Sequence, residues 1–146
     1  MMLLPRRALL AVAAVVDVAV HARPTPVAAK ALASRHNLPP RHLETLLQAL
    51  VRASILKGVR GPRGGYELAR DRRRISVGDI VRAARAEPGS EEGGSRLIDN
   101  VIAPVVDAAG AGFLAALDQI NIDDLCQKAR TCAVFGKVDI KSDFTI

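Results

Sequence analysis

The chain reads as mainly α-helical with one small β-hairpin. Three observations predict this. Apolar residues recur at helical spacing in several separate segments, most clearly Leu43, Leu46, Leu47, Leu50 and Val51. Two short apolar runs, 55–59 and 66–69, flank Arg60-Gly61-Pro62-Arg63-Gly64-Gly65, the composition of a tight hairpin connection. With three Phe, one Tyr and no Trp in 146 residues, the core has to be built from Ala, Val, Leu and Ile. A chain of this length is expected to form one domain and to bury roughly 70% of its unfolded surface without staples.

Residues 5–21 are rich in Ala, Leu and Val and free of Gly, with Pro only at the start, where a first helical turn tolerates it. They predict a buried first helix. Its Asp17 is expected at an edge, accepting hydrogen bonds, because a bare charge in an apolar core is costly. Arg6-Arg7 followed by residues 8–16 has the outline of an export signal. Asp17 interrupts the run, the run is too short to span a bilayer, and the patterned domain needs the segment. A cytoplasmic protein with no membrane span is therefore expected.

Arg23-Pro24-Thr25-Pro26 breaks the first helix. Thr25 is a candidate N-cap with Pro26 at the first helical position, for a second helix to about Arg35 whose apolar face holds Val27, Ala28, Ala31 and Leu32. His36-Asn37-Leu38 turns the chain, with Asn37 suited to a left-handed backbone. Pro39-Pro40 opens a third helix to about Ala53. Its apolar stripe is the leucine series above, and its other face offers Arg41, His42, Glu44, Thr45, Gln48 and Arg52. Two short helices joined by a tight turn form a helix-turn-helix, and the hairpin that follows makes it a winged one.

In such a unit the second helix of the pair enters the major groove with its first turns on the base edges. Arg41 and Thr45 become the direct readers, through guanine and the thymine methyl. His42, Gln48 and Arg52 are expected at phosphates or the rim. Glu44 either accepts from cytosine N4 or orients Arg41 or Gln48, and the second reading is preferred. Arg60 and Arg63 stand at the hairpin tip, where no core can use them, and Tyr66 opens its second run. Guanidinium groups on a rigid finger suit phosphates or a minor groove.

Charge supports this reading. Residues 1–86 hold 16 Lys/Arg against 5 Asp/Glu, a net +11, and residues 87–146 hold 5 against 10, a net −5. The front half is the part expected to meet a polyanion, double-stranded DNA. The basic run Arg72-Arg73-Arg74 after Asp71 is either solvated or a further phosphate contact. Ser76-Val77-Gly78-Asp79 matches a capping box for a fourth helix to about Ala86.

Residues 87–95 contain only Gly, Ser, Pro and Glu, a linker by composition. The expected organisation is a reading head at 1–86, the linker at 87–95, a long apolar helix with a short capping helix at 96–130, and a tail at 131–146. Leu97, Val101, Val105, Leu114 and Leu117 are candidates for a buried stripe on the long helix, with self-association across a two-fold axis the natural means of burying it. Asn121 caps the short helix through about Ala129. Residues 137–146 read as disordered or as a terminal strand.

Cys126 and Cys132 are the only cysteines, and the three histidines lie in the other half of the chain. Reduced structural thiols are expected, with no metal site. No glycine-rich phosphate loop, no Ser/His/Asp grouping and no paired carboxylates in an evident pocket support an enzyme.

These residues resemble the BadM/Rrf-two family of winged helix-turn-helix transcriptional regulators. Residues 15–19 resemble the family's first helix, 43–47 its recognition helix, 59–68 its wing, 75–80 the helix after the wing, and 117–125 the end of its dimerisation helix with the short helix behind it. The wing is the most specific part. The resemblance implies a homodimer, acting as a repressor on a dyad-symmetric operator, with Arg60 as the minor-groove probe and Arg41, His42 and Glu44 in the base-reading turn. Sensing members place three cysteines after the wing helix, where residues 87–95 have none. The expectation is a protein without a cofactor, its effector unidentified. Arg63, Pro39 and Val106 depart from the family's usual Gly, Ser or Thr, and aromatic residue. The competing expectations are a cluster-free, thiol- or ligand-responsive sensor of the same fold, and an interaction adaptor that has lost DNA binding.

Overall fold

The computed structural model describes residues 3–23, 25–85 and 95–135. Its elements are α1 (Arg6–His21), α2 (Ala29–His36), α3 (Pro40–Arg52), β1 (Leu56–Val59), β2 (Gly65–Leu68), a 3-10 turn (Arg72–Arg74), α4 (Val77–Arg85), α5 (Ala103–Asp118) and α6 (Ile122–Thr131). A π-helical stretch, Ile98–Ile102, leads into α5. The mainly helical architecture with one hairpin is as the sequence predicts. The linker expected at 87–95 (Ser95 apart) and the part of the expected 131–146 tail beyond residue 135 lie outside the described residues.

α1 is the central rod of the head. Ala8, Ala11, Ala14, Val15, Val16, Val18 and Ala19 are all buried, and their small side chains let α3, α4, α6 and β2 pack close around it. Leu32, Leu43, Leu47, Leu50, Ile55, Leu56, Ile75, Ile80 and Ile122 complete the core. Ser76 and Asp79 form the expected capping box: Asp79 N–H donates to Ser76 Oγ at 3.0 Å, and Ser76 N–H to Asp79 Oδ2 at 3.2 Å.

Asp17 departs from expectation. It accepts hydrogen bonds as predicted, yet it lies in the core with no exposed surface rather than at an edge. Arg35 grips it bidentately, Nε to Oδ2 at 2.8 Å and Nη2 to Oδ1 at 2.6 Å. His36 Nε2 meets Oδ2 at 2.7 Å and His21 Nδ1 meets Oδ1 at 3.1 Å. Burial by itself would raise the Asp17 pKa. The hydrogen bonds from Arg35 and His36, with the charge of Arg35, outweigh burial and hold the carboxyl below its usual range.

α2 begins later than expected. Val27 is not on a helix. Its N–H donates to Tyr66 O at 2.9 Å and its carbonyl accepts from Tyr66 N–H at 2.8 Å, an antiparallel bridge that adds a third edge to the hairpin. The bridge satisfies the Val27 N–H, which a helix start would leave open, and gives its carbonyl a partner across the sheet instead of along a helix. The helix then starts at Ala29 with no side-chain cap, so Thr25 does not serve as one, and Ala28 is exposed rather than on an apolar face. Asn37 is left-handed as predicted, at φ 52°. On α3 the stripe holds through Leu43, Leu46, Leu47 and Leu50, whereas Val51 is 37% exposed and Ala49 is buried in its stead.

The expected buried stripe on the long helix is not buried within one chain. Leu97, Ile98, Val101, Ile102, Val105 and Val106 are all exposed, and only Leu114 and Leu117 rest against the core. The stretch Ile98–Asp118 is long and apolar enough, by length and composition, to cross a membrane. At its end the chain returns to the head. Val77 N–H donates to Ile120 O at 2.8 Å and Ile122 N–H to Ile75 O at 2.9 Å. Asn121 and Asp124 form a reciprocal capping box for α6, which seats Ile122 and Cys126 in the same core as α1. Arg82 binds Asp118 bidentately at 2.6 and 2.8 Å.

Asp17→Asn removes the charge that Arg35 was placed to meet. We expect a loss of about 2–4 kcal/mol in urea unfolding at neutral pH, below or within the usual range for breaking a buried pair because Arg35 is partly exposed. Because the native pKa lies below the unfolded value of about 3.9, the contribution is full at neutral pH and is lost as pH falls through the lowered native value. The variant should therefore show a shallower acid limb than the wild type between about pH 5 and 2.

Candidate nucleic-acid interface

The Asp17 clamp fixes where α2 ends. Asn37 then redirects the chain, Leu38 N–H closes back on Ala33 O at 3.0 Å, and α3 starts at Pro40. With Leu43, Leu46, Leu47 and Leu50 locked in the core, the opposite face of α3 has to point outward. Arg41, His42, Glu44, Thr45, Gln48 and Arg52 are all exposed on it. Thr45 Oγ1 donates to Arg41 O at 3.2 Å. Its hydroxyl proton is thus used on its own helix, which leaves the methyl free for an apolar contact. Glu44 is exposed on the same face as Arg41 and Gln48, and among the described residues no hydrogen bond joins it to either.

The wing pairs Leu56 with Leu68, Lys57 with Glu67, Gly58 with Tyr66 and Val59 with Gly65. Ile55 and Leu56 anchor its base in the core. Its turn is closed by Gly64 N–H donating to Gly61 O at 2.9 Å, with Gly61 at φ 117°, a conformation that favours glycine. A side chain at position 64 would strike Val59 O, and one at 65 would strike the Val27 carbonyl. Arg60 and Arg63 stand exposed on this turn. Tyr66 is placed differently from the other candidates. Its backbone is pinned to Val27 and its half-buried ring packs against the core, so it sits at the root of the wing rather than the tip.

The basic run after the wing divides. Arg72 turns inward, with Nη2 3.5 Å from Ala19 O and Nη1 4.0 Å from Asp123, and ties the 3-10 turn to α1 and α6. Arg73 and Arg74 are exposed. Arg70, not singled out from the sequence, bonds Ser54 O at 3.2 Å and braces the root of the wing. Arg35 and His36 likewise serve the scaffold, through Asp17. The available signal was a buried-helix aspartate followed 18 and 19 positions later by an Arg-His pair.

A helix-turn-helix held to an arginine-tipped hairpin by one core defines a DNA-binding protein of the winged helix-turn-helix class. Residues 4–128 match Rrf2, described as iron-dependent transcriptional regulator. The chain belongs to this family; it is a DNA-binding transcriptional regulator and not an enzyme. A Synechocystis sp. chain named as an HTH-type transcriptional regulator, slr0846, is 37% identical over 124 residues, covering 82% of this chain and 84% of that protein. IscR of Vibrio vulnificus is 31% identical over 138 residues, covering 89% and 80%. The solved structure of T. potens IscR superposes with a TM-score of 0.65 at 33% identity, covering 88% of each chain.

Among the described residues, the iron in the family's description finds no matching donor set. Cys126 is wholly buried in the head's core, where burial pushes its thiol pKa up, and Cys132 is exposed at the far end of α6. Among the described residues no three His, Cys, Asp or Glu side chains group in a way that could hold a metal ion.

Gly65→Ala should force the wing away from Val27 and cost about 1–3 kcal/mol in thermal unfolding. Gly58→Ala, with nothing within 4 Å of the added methyl, should stay within about 0.5 kcal/mol of wild type.

Proposed function

We propose that the protein is a repressor that binds a dyad-symmetric operator as a homodimer. The observation that carries this is one rigid head presenting an exposed polar face of α3 and an arginine-tipped wing side by side, attached to a long helix whose apolar face is bare. Two heads then read successive major grooves, with half-sites about 34 Å apart. Arg41 and Thr45 contact base edges. His42, Gln48 and Arg52 contact phosphate. Arg60, joined by Arg63, probes the minor groove beside each half-site, and Tyr66 holds the root from which they project.

Self-association through Leu97, Val101, Val105 and their neighbours buries a surface that one chain leaves in water. A bilayer is the less fitting environment. Asp107 lies mid-helix, and Arg82 holds the helix end against α4 through Asp118. We place the protein in the cytoplasm with its DNA. A thiol switch at Cys126 fits poorly, because burial disfavours the reactive thiolate.

Arg60→Ala and Arg63→Ala should each weaken binding to the native promoter fragment, Arg60→Ala by about tenfold, while sedimentation shows the dimer intact. Wild-type affinity should fall steeply with salt, and each variant should flatten the log–log slope by about one. Val105→Asp should yield a folded monomer by sedimentation, with operator affinity lost. Variants of both arginines that bind as wild type would remove the wing from the interface.

A further inference from the structure

Between the start of α1 and the start of α3 lies a cleft of about 390 Å³. Its walls are aliphatic: Leu10 from α1, Leu38 from the turn, Leu43 and Leu46 from α3. Arg6, Arg7 and His42 are the polar residues that line it, and none of its lining residues is acidic. Arg7 Nε is directed to Ala84 O at 3.4 Å, while Arg6 and His42 are exposed at the edge. A leucine trough with a cationic rim is complementary to an amphipathic anion. The aliphatic walls favour a flexible alkyl tail, and the volume is at the small end of ligand pockets, suited to a chain of about ten carbons.

We infer that this cleft binds a medium-chain aliphatic carboxylate, its tail along Leu10, Leu38, Leu43 and Leu46 and its carboxylate on Arg6 and His42, and that occupancy weakens operator binding. The regulatory half rests on the function proposed above; the binding half does not. The coupling follows from shared residues. His42 belongs to the DNA-facing surface of α3, and an imidazole engaged by a carboxylate is withdrawn from phosphate. The bound anion also places a negative charge beside the DNA backbone.

Calorimetry of the full chain with sodium decanoate, without DNA, tests the site. One decanoate should bind per protomer, with decanol (same chain, no charge) and acetate (same charge, no chain) each at least tenfold weaker. Arg6→Gln should weaken decanoate binding about tenfold, the loss of one charge-assisted contact. Leu10→Phe, which fills the trough, should abolish binding in a protein whose circular dichroism is unchanged. If Leu10→Phe fails to fold, Arg6→Gln carries the test alone, because its side chain is exposed. Absence of heat with millimolar decanoate overturns the site. So does equal binding of acetate, or wild-type affinity in Arg6→Gln. Binding to the Val105→Asp monomer but not to the dimer also overturns it, because a second copy then covers the cleft.

Operator titration with and without decanoate tests the second half, with about tenfold weaker DNA binding expected. Unchanged operator affinity under saturating decanoate overturns the coupling and leaves the site. Failure to bind any operator, with decanoate binding intact, overturns the proposed function and the coupling together.

Discussion

One buried carboxylate governs the geometry of the reading head. Asp17 lies midway through the core, and both of its oxygens are filled by Arg35, His36 and His21. Burying a charge is costly, and apolar residues replacing Asp17 together with all its partners would often serve the core as well in energy. What an apolar residue would not supply is direction. The guanidinium fork fits the carboxylate in a single arrangement, which fixes the last turn of α2 against α1. Everything that presents α3 follows from that turn: the left-handed Asn37, the return of Leu38 to Ala33, and the angle at which Pro40 starts the helix. An error of a few degrees at Asp17 would be carried the length of α3 and would move Arg41 and Thr45 off their register.

Much of this was legible in the residues, for identifiable reasons. The α3 stripe, the capping boxes at Ser76 and Asn121, the left-handed Asn37 and the glycine turn of the wing are local devices, determined by residues within a few positions of one another. The sequence shows them directly. What it concealed was non-local. Val27 looked like the apolar face of a helix because its partner, Tyr66, lies 39 positions away. Asp17 was expected at an edge because the Arg35-His36 pair that compensates it sits on another helix. Val51 fits the stripe by spacing, but the core ends before it. Of the candidate interface, the α3 residues and the two wing arginines could be found as polar groups that the core pattern does not use, whereas Tyr66 and Arg72 brace the scaffold, which their neighbours in sequence do not show.

The glycines of the wing show how a surface finger is kept stiff. A two-stranded hairpin alone is marginal in water. Here it gains a third edge from Val27, and that edge can approach only because position 65 lacks a side chain. Arg60 and Arg63 therefore project from a turn closed by its own backbone and rooted in the core by Ile55 and Leu56. The entropy of ordering the finger is met during folding, and less would remain to be lost if, as proposed, it enters a groove.

The C-terminal end of the long helix is tied directly to this machinery. It is held to α4 by the Arg82–Asp118 fork. Gly78 leaves the space that the Asp118 carboxylate occupies. Backbone bonds then run from Ile120 to Val77 and from Ile122 to Ile75, and α6 closes the core from behind. α4 packs along α1, and α1 carries Asp17. The contacts thus run without a break from the bare apolar face to the end of α2. In a dimer built on that face, the angle between two α5 helices sets the separation of the two heads. A change at the first turn of α3 is opposed by the same packing. The proposed carboxylate seat between α1 and α3 lies at the edge of this packing, where Leu10 and Leu38 are only half-buried, so a ligand there acts through His42 and its own charge rather than by moving α3.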